Sequence, residues 1–228
     1  MKFKILSWDS KSFGFKVARI KQYSLNRQLL QDLKREGIEL CYFFTEYPLK
    51  EINNPFYEIN LVDKKVTYSK VPQHYSDDSS ILSYPKGAID KALFNLTLRS
   101  GKYSRFNLDK RIGKQKFELL YETWIERSVS REIADEVFVY YLDNKIVGFV
   151  TVRYKNENAE IGIIAVDENF TKMGIGKALM EKAESSRKAN CSKIKVVTQL
   201  DNIPACRLYE SCSYVVEKIE YVYHLWRK

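Results

Sequence analysis

Histidine is almost missing from this chain: His74 and His224 are the only two among 228 residues. Triads that activate a serine or cysteine through an imidazole are hard to assemble from so few, and nucleophilic hydrolysis falls well down the list of chemistries. Cysteine is little used as well. Cys41, Cys191, Cys206 and Cys212 show neither a CxxC pair nor zinc-ligand spacing, so they read as free thiols and no metal site is expected. No apolar run approaches the roughly 18 residues of a membrane span, and the opening Met1-Lys2-Phe3-Lys4 has no signal-peptide core. The expectation is a cytoplasmic location with no membrane partner. Internal repeats are missing too, and neither a Walker loop nor a complete Rossmann fingerprint occurs.

What the chain does contain is apolar enough to fold. Hydrophobic residues make up 45% of it, and 228 residues can bury a substantial core as one large domain or two small ones. The formal charge of +9 raises nucleic acid as a partner first. The lysines are spread along the chain, however, and no nucleic-acid-binding motif accompanies them, so no nucleic-acid partner is expected.

Residues 73–85 divide the chain. Before them, β-branched and aromatic runs at Phe15–Ile20, Ile38–Thr45 and Ile59–Val71 surround a helix predicted from about Ser24 to Glu36 and ended by Gly37. Residues 1–75 therefore read as a small α+β domain, and the polar, turn-rich Gln73 to Ser80 as a linker. Residues 76–228 form the second unit. Helices are predicted over Gly87–Leu98 and Lys114–Arg127, the latter carrying an aromatic stripe of Phe117, Leu120, Tyr121, Trp124 and Ile125 that suits core packing. Strands Glu136–Leu142 and Ile146–Tyr154 flank the hairpin signal Asp143-Asn144-Lys145. Then come strand Ala159–Val166, a helix from Gly174 to about Lys188, strand Lys193–Thr198, helix Ile203–Cys212 and terminal strands including Glu220–Trp226.

The most informative stretch is Asn169-Phe170-Thr171-Lys172-Met173-Gly174-Ile175-Gly176-Lys177. A buried strand ends just before it and a helix opens inside it. The helix start offers unpaired N–H groups and the positive end of its dipole, and glycines let a ligand approach the backbone, so a diphosphate is the natural guest. This stretch resembles motif A of the GNAT superfamily of CoA-dependent acyltransferases. Gly174 and Gly176 fit the pattern, whereas Thr171 stands where the family prefers Arg or Gln, a contact that Lys172 or Lys177 can replace. The resemblance implies an α+β fold with a mixed, mostly antiparallel central sheet, preceded here by the small N-terminal domain. It also implies an acyl-CoA co-substrate, acetyl-CoA or a longer acyl-CoA. Its pantetheine would lie along the backbone of Ile164, Ala165 and Val166, which splay from the next strand, and its pyrophosphate would meet Thr171, Lys172, Met173, Gly174, Ile175, Gly176 and Lys177. Asn202 either caps the following helix or bonds the pantetheine.

A second block narrows the resemblance. Val197 to Tyr214 (VTQLDNIPACRLYESCSY), together with Tyr103-Ser104-Arg105-Phe106, Leu6-Ser7-Trp8-Asp9-Ser10 and Phe13-Gly14-Phe15, is similar to the WecD-type nucleotide-sugar N-acyltransferases. That likeness implies acyl transfer to the amino group of a dTDP-linked 3- or 4-amino-6-deoxyhexose for surface polysaccharide. It places Tyr209 near the CoA sulfur as general acid and Asp63 near the sugar amine as base, with Trp8, Asp9, Tyr103, Arg105 and Gln199 on the substrate side. A homodimer is one assembly such an enzyme takes. Other expectations stay open: a GNAT enzyme acting on a protein or small-molecule amine, or a CoA- or nucleic-acid-binding module without turnover.

Overall fold

A computed structural model of the protein describes residues 3–50, 54–185 and 191–228. The first elements are β1 (Lys4–Ile5), α1 (Ser7–Phe13), β2 (Val17–Lys21), α2 (Arg27–Arg35), β3 (Leu40–Thr45) and the long β4 (Tyr57–Lys70). Helix α2 begins at Asn26, later than expected from Ser24, because the Asn26 side chain accepts the Leu29 N–H at 2.9 Å and sets the cap there. Its Leu29, Leu30 and Leu33 are buried.

After β5 (Ile81–Ser83), α3 (Lys91–Ser100) also starts later than the expected Gly87. Gly87 has φ +133°, a conformation no helix uses, and Asp90 caps the helix through the Ala92 N–H at 2.6 Å. The remaining elements are α4 (Arg105–Leu108), α5 (Lys114–Val129), β6 (Glu136–Leu142), β7 (Lys145–Lys155), β8 (Asn158–Val166), α6 (Ile175–Ser185), β9 (Lys193–Gln199), α7 (Ile203–Ser211) and β10 (Val215–Arg227). Asp143 and Asn144, at φ +48° and +60°, make the two-residue turn between β6 and β7. The end expected for α6 at Lys188 lies outside the described residues. The terminal strands are a single 13-residue strand, β10.

The strands hydrogen-bond in the order β1-β2-β3-β10-β4-β9-β8-β7-β6-β5. Only β2/β3 and β8/β9 are parallel, so the sheet is mixed and mostly antiparallel. It runs unbroken across the expected boundary. The C-terminal strand β10 lies between β3 and β4, pairing with β3 over residues 221–226 and with β4 over nearly its full length. The chain after β4 is pinned rather than loose, since the backbone N–H of Tyr75 donates to Ser185 Oγ at 2.8 Å.

Helices cover both faces. Helix α2 packs on β2, β3 and β10 from one side, while α1, α4 and α5 cover the other side around Tyr42, Val222 and Trp226. Around the C-terminal strands, α6 and α7 pack on one face and α3 and α5 on the other. Such two-sided burial makes the strands near-continuous apolar runs, as in β3 and most of β7.

Candidate active site: a splayed strand pair beside a buried polar cluster

The parallel pairing of β8 with β9 ends early. Asn158 to Ile161 face Lys193 to Val196, and beyond Ile161 the two strands part. The cause is a β-bulge: Val152 pairs with Ile161 and Val150 with Ile164, so Gly162 and Ile163 together oppose Thr151. The Thr151 hydroxyl accepts the Ile163 N–H at 2.9 Å. The bulge turns the end of β8, including Ile164, Ala165 and Val166, away from β9, while β9 stays with β4 through Lys65 opposite Gln199. A gap of sheet edge results, able to take an extended amide-bearing chain as though it were another strand.

Past β8 the chain makes one 3-10 turn (Glu168–Phe170), held by the Arg99–Glu168 ion pair at 2.8 Å, and enters the glycine loop. Lys172 and Gly174 are left-handed, at φ +63° and +82°. The first helical bond of α6 runs from the Ala178 N–H to the Gly174 carbonyl. The N–H groups of Gly174, Ile175, Gly176 and Lys177 find no acceptor among the described residues, as the first turn of a helix leaves them. The two glycines differ. A Cβ on Gly174 would meet open space, whereas one on Gly176 would lie 3.1 Å from Leu208 Cδ2 of α7. Gly176 thus lets two helices approach as well as keeping the loop open. Thr171 donates its hydroxyl to the Glu168 carbonyl at 3.0 Å, and Lys172 and Met173 are exposed.

Helix α7 starts at Asn202, which both caps the Ala205 N–H at 3.4 Å and donates to Thr198 Oγ1 at 3.1 Å. Tyr209, in the last turn of the helix, is buried at 3% exposure between the rings of Tyr68 (5.6 Å) and Tyr214 (6.4 Å). Burial pushes its phenol well above the usual value, opposite to the modest lowering a proton donor to a thiolate would favour, so it stays protonated at every physiological pH.

Across β4 from the gap lies a cluster of polar groups. Cross-strand register puts Asp63, Val222 and Phe44 side by side, and Val62 is the extra residue of a second bulge, between β4 and β10. Asp63 is only 6% exposed and neither of its carboxylate oxygens meets hydrogen-bond geometry. Burial raises it to about 6, against the pull of Arg105 and Lys65 and the approach of Gln199. Arg105, first residue of α4, stacks its guanidinium on Phe106 (4.3 Å), Tyr42 (5.2 Å) and Phe44 (5.6 Å). Asp9 of α1 is likewise raised by burial and interacts with Tyr42, Arg105 and Arg19. Arg105 Nε and His224 Nε2 are buried without partners, and Tyr42 Oη is buried toward Asp9 outside normal hydrogen-bond geometry.

Of the residues singled out in the sequence, Asp9, Asp63, Arg105 and Gln199 come together here. Trp8 packs against the same apolar cluster from α1. Tyr103 does not join: its ring carries the Lys102 ammonium at 5.8 Å and shares none of the cluster's hydrogen bonds or ring contacts. Sequence reasoning missed Tyr42, Asp109, His224 and Trp226, and it read Tyr121 as packing alone although that phenol interacts with Ser104, Arg105 and Asp63. The signal available for the last strand was its lone histidine among aromatics. Among the described residues no helix is long and apolar enough to cross a membrane, and no group of three His, Cys, Asp or Glu is placed to hold a metal ion.

Residues 104–214 match the Acetyltransferase (GNAT) family. Over 114 residues the chain is 29% identical to streptothricin acetyltransferase A of Bacillus subtilis, covering 49% of this chain and 66% of that protein. Over 242 aligned residues it is 20% identical to the spore coat polysaccharide biosynthesis protein SpsD of the same organism, covering 96% and 81%. A GCN5-related N-acetyltransferase from Sphaerobacter thermophilus superposes with a TM-score of 0.53 at 14% identity, over 99% of this chain and 76% of that one. The chain spans about half to two thirds of the length of two of the relatives it matches.

Proposed function

We propose that this chain, whose residues 104–214 match the Acetyltransferase (GNAT) family, is an acyl-CoA-dependent N-acyltransferase that moves an acyl group from CoA to the amine of a dTDP-linked 3- or 4-amino-6-deoxyhexose. Acetyl-CoA is the first donor to test, and longer acyl-CoAs such as 3-hydroxybutyryl-CoA follow. Pantetheine would pair with the freed edge of β8 at Ile164, Ala165 and Val166. The pyrophosphate would rest on the amides from Met173 to Lys177, with Thr171 and Lys172 beside it. Asn202, engaged in its cap, would steady α7.

One observation carries the acceptor assignment: Arg105 Nε and His224 Nε2 are buried and unpartnered, and Tyr42 Oη and both Asp63 oxygens are buried outside normal hydrogen-bond geometry, approached only by Asp9 and Gln199. Each such atom costs about 1–3 kcal/mol, and a cluster of them asks for a polar ligand. The mixture of charges suits a zwitterion. Asp63 and Asp9 would take an ammonium, Arg105 a diphosphate and Trp8 a ring face, while Lys65 is held by Glu220 at 2.9 Å. The similarity to SpsD across nearly the whole chain favours a polysaccharide precursor over other amines. Residues 1–75 would supply most of the acceptor side and 76–228 the acyl-CoA side.

Transfer would proceed by direct attack in a ternary complex. Asp63 takes the proton that the ammonium must lose, the free amine adds to the thioester carbonyl, and as the C–S bond breaks Tyr209 gives its proton to the departing sulfur and recovers the second proton of the nitrogen, so that no phenolate accumulates against its raised pKa. No covalent enzyme intermediate is needed. The reaction would draw on the cytoplasmic acyl-CoA pool.

The similarity to streptothricin acetyltransferase A supports a second reading, acylation of an antibiotic amine. A panel of dTDP-3-amino and dTDP-4-amino sugars, with streptothricin alongside, assayed against several acyl-CoAs by thiol release, separates the two. Turnover of streptothricin with none of the sugars would reject the sugar-nucleotide assignment.

A further inference from the structure

One buried group of the acceptor cluster offers no charge to either an ammonium or a diphosphate. His224, on β10, has 0% exposure. Its Nδ1 lies 2.5 Å from Asp109 Oδ2, and the same carboxylate oxygen accepts the Trp226 indole N–H at 2.8 Å. An oxygen held by an obligatory indole donor and by the imidazole is an acceptor for both, so Nδ1 carries a hydrogen. Hydrogen bonds from His224 and Trp226 outweigh burial and hold the Asp109 carboxyl below its ordinary range. Nε2 is left buried with no partner.

The surroundings restrict what Nε2 can be. Tyr42 of β3 lies against the ring at 5.1 Å and Phe106 of α4 at 6.5 Å. Charged and titratable groups facing it are Asp109 below, Arg105 from α4, and Tyr42 with Asp9 of α1 behind it. Burial and the Arg105 charge disfavour an imidazolium. A neutral ring with Nδ1–H fixed presents a bare lone pair at Nε2. That lone pair needs a donor, and the ammonium of the acceptor has better partners in the carboxylates of Asp63 and Asp9. The donor that fits is a hydroxyl.

We propose that His224, held in one tautomer by Asp109, is the acceptor-specificity residue whose Nε2 receives a hydrogen bond from a sugar hydroxyl next to the reacting amine. This rests on reading the Asp63–Arg105 cluster as the acceptor pocket. Asp109 is then a positioning residue, acting through the ring. A site built to accept a hydroxyl discriminates sharply against the analogue that lacks it, because the buried lone pair is then orphaned.

The chain's two histidines make the test clean. In protein labelled with 15N-histidine, His74→Asn assigns the exposed ring, and the other ring pair belongs to His224. The expected free state at pH 7.5 is the Nδ1–H tautomer. Adding dTDP-4-amino-4,6-dideoxyglucose with CoA should shift Nε2 as an acceptor of a hydrogen bond, while the 3-deoxy analogue should not. In kinetics, His224→Leu should lower kcat/KM on the order of 10²-fold and His224→Gln, which keeps an acceptor oxygen, should recover most of it. An Nε2–H tautomer or an imidazolium in the free protein overturns the proposal. So does calorimetric binding of the sugar with no change at Nε2, the result expected if water alone fills the site. If no amino-sugar nucleotide binds, the acceptor reading itself fails, and this inference falls with it.

Discussion

Gly162 lies against the hydroxyl of Thr151, so close that a Cβ at 162 would sit 2.8 Å from Oγ1. The same hydroxyl accepts the Ile163 N–H, so one side chain both occupies the space that glycine vacates and satisfies the donor that the bulge exposes. Thr151→Val keeps the shape and removes the acceptor. The buried N–H should then cost about 1–3 kcal/mol of stability, and relaxation of the bulge should weaken acyl-CoA binding. Thermal melts with calorimetry check both. A lowered Tm with parental affinity would show that the bulge does not set the gap.

Gly176→Val should weaken acyl-CoA binding at least tenfold, about 1.4 kcal/mol, and the reason is Leu208. The added side chain meets Leu208 before it meets any ligand, so it should push the first turn of α6 from α7 and misplace the amides. Combining it with Leu208→Ala should recover much of the affinity. If the double variant stays as weak as the single, the valine acts directly on the phosphates instead.

How far the sequence reached follows the same local logic. The β6–β7 hairpin was readable because Asp143 and Asn144 carry left-handed turn chemistry within two residues, and the loop from Thr171 to Lys177 because strand, glycine and helix follow one another without interruption. The acceptor cluster was only half readable. Asp63 comes into line with Phe44, on which Arg105 stacks, and Tyr42 comes beside His224, only once β10 is inserted between β3 and β4, a pairing of the C-terminal strand with the N-terminal half that no local pattern encodes. Tyr121 shows the same limit: its helical spacing indicates packing, and nothing in that spacing tells that the hydroxyl end reaches Ser104 and Arg105.

That insertion also decides the behaviour of fragments. A protein beginning at Ser80 would lack β1 to β4, leaving β10 without either neighbour and exposing the buried Tyr223, Leu225 and Trp226. Two open edges and an uncovered apolar strand favour aggregation. The 80–228 fragment should be insoluble or molten by circular dichroism and bind no CoA. A folded fragment with parental CoA affinity would mean that the acyl-CoA half is independent of the N-terminal strands.

Asp63→Asn should separate stability from activity. The carboxyl is raised by burial from 3.8 to about 6 in the folded protein, so the native state holds the proton more tightly than the unfolded chain does. The stability this gives is fully present below about pH 4 and is lost as pH rises through about 6. Asparagine removes that loss. At pH 7.5 the variant should be more stable, by on the order of 1–3 kcal/mol, and the difference should vanish near pH 4. Parental kcat/KM should climb through about pH 6, and the variant should lose roughly 10²–10⁴ of it at neutral pH. A variant that is less stable at pH 7.5 would mark Asp63 as a structural partner of Arg105.

Tyr209→Phe gives the sharpest test of the chemistry, because the structure has removed its usual ambiguity. A tyrosine whose hydroxyl bonds to the protein loses about 1 kcal/mol when that oxygen is deleted. The Tyr209 hydroxyl makes no hydrogen bond among the described residues, and its ring packing on Tyr68 and Tyr214 survives in phenylalanine. Stability should therefore hold or rise slightly. If the phenol serves the departing thiolate, kcat should drop roughly 10²–10⁴-fold with little change in acyl-CoA affinity. The raised pKa adds a second signature. Because burial keeps the phenol protonated, no descending limb from Tyr209 should appear in the parental pH profile below about pH 10, the ordinary phenol value. Initial rates at saturating substrates, with Tm measured beside them, test the assignment, and single-turnover rates expose any masking by slow product release. A stable variant with parental single-turnover chemistry would leave the leaving thiolate without Tyr209.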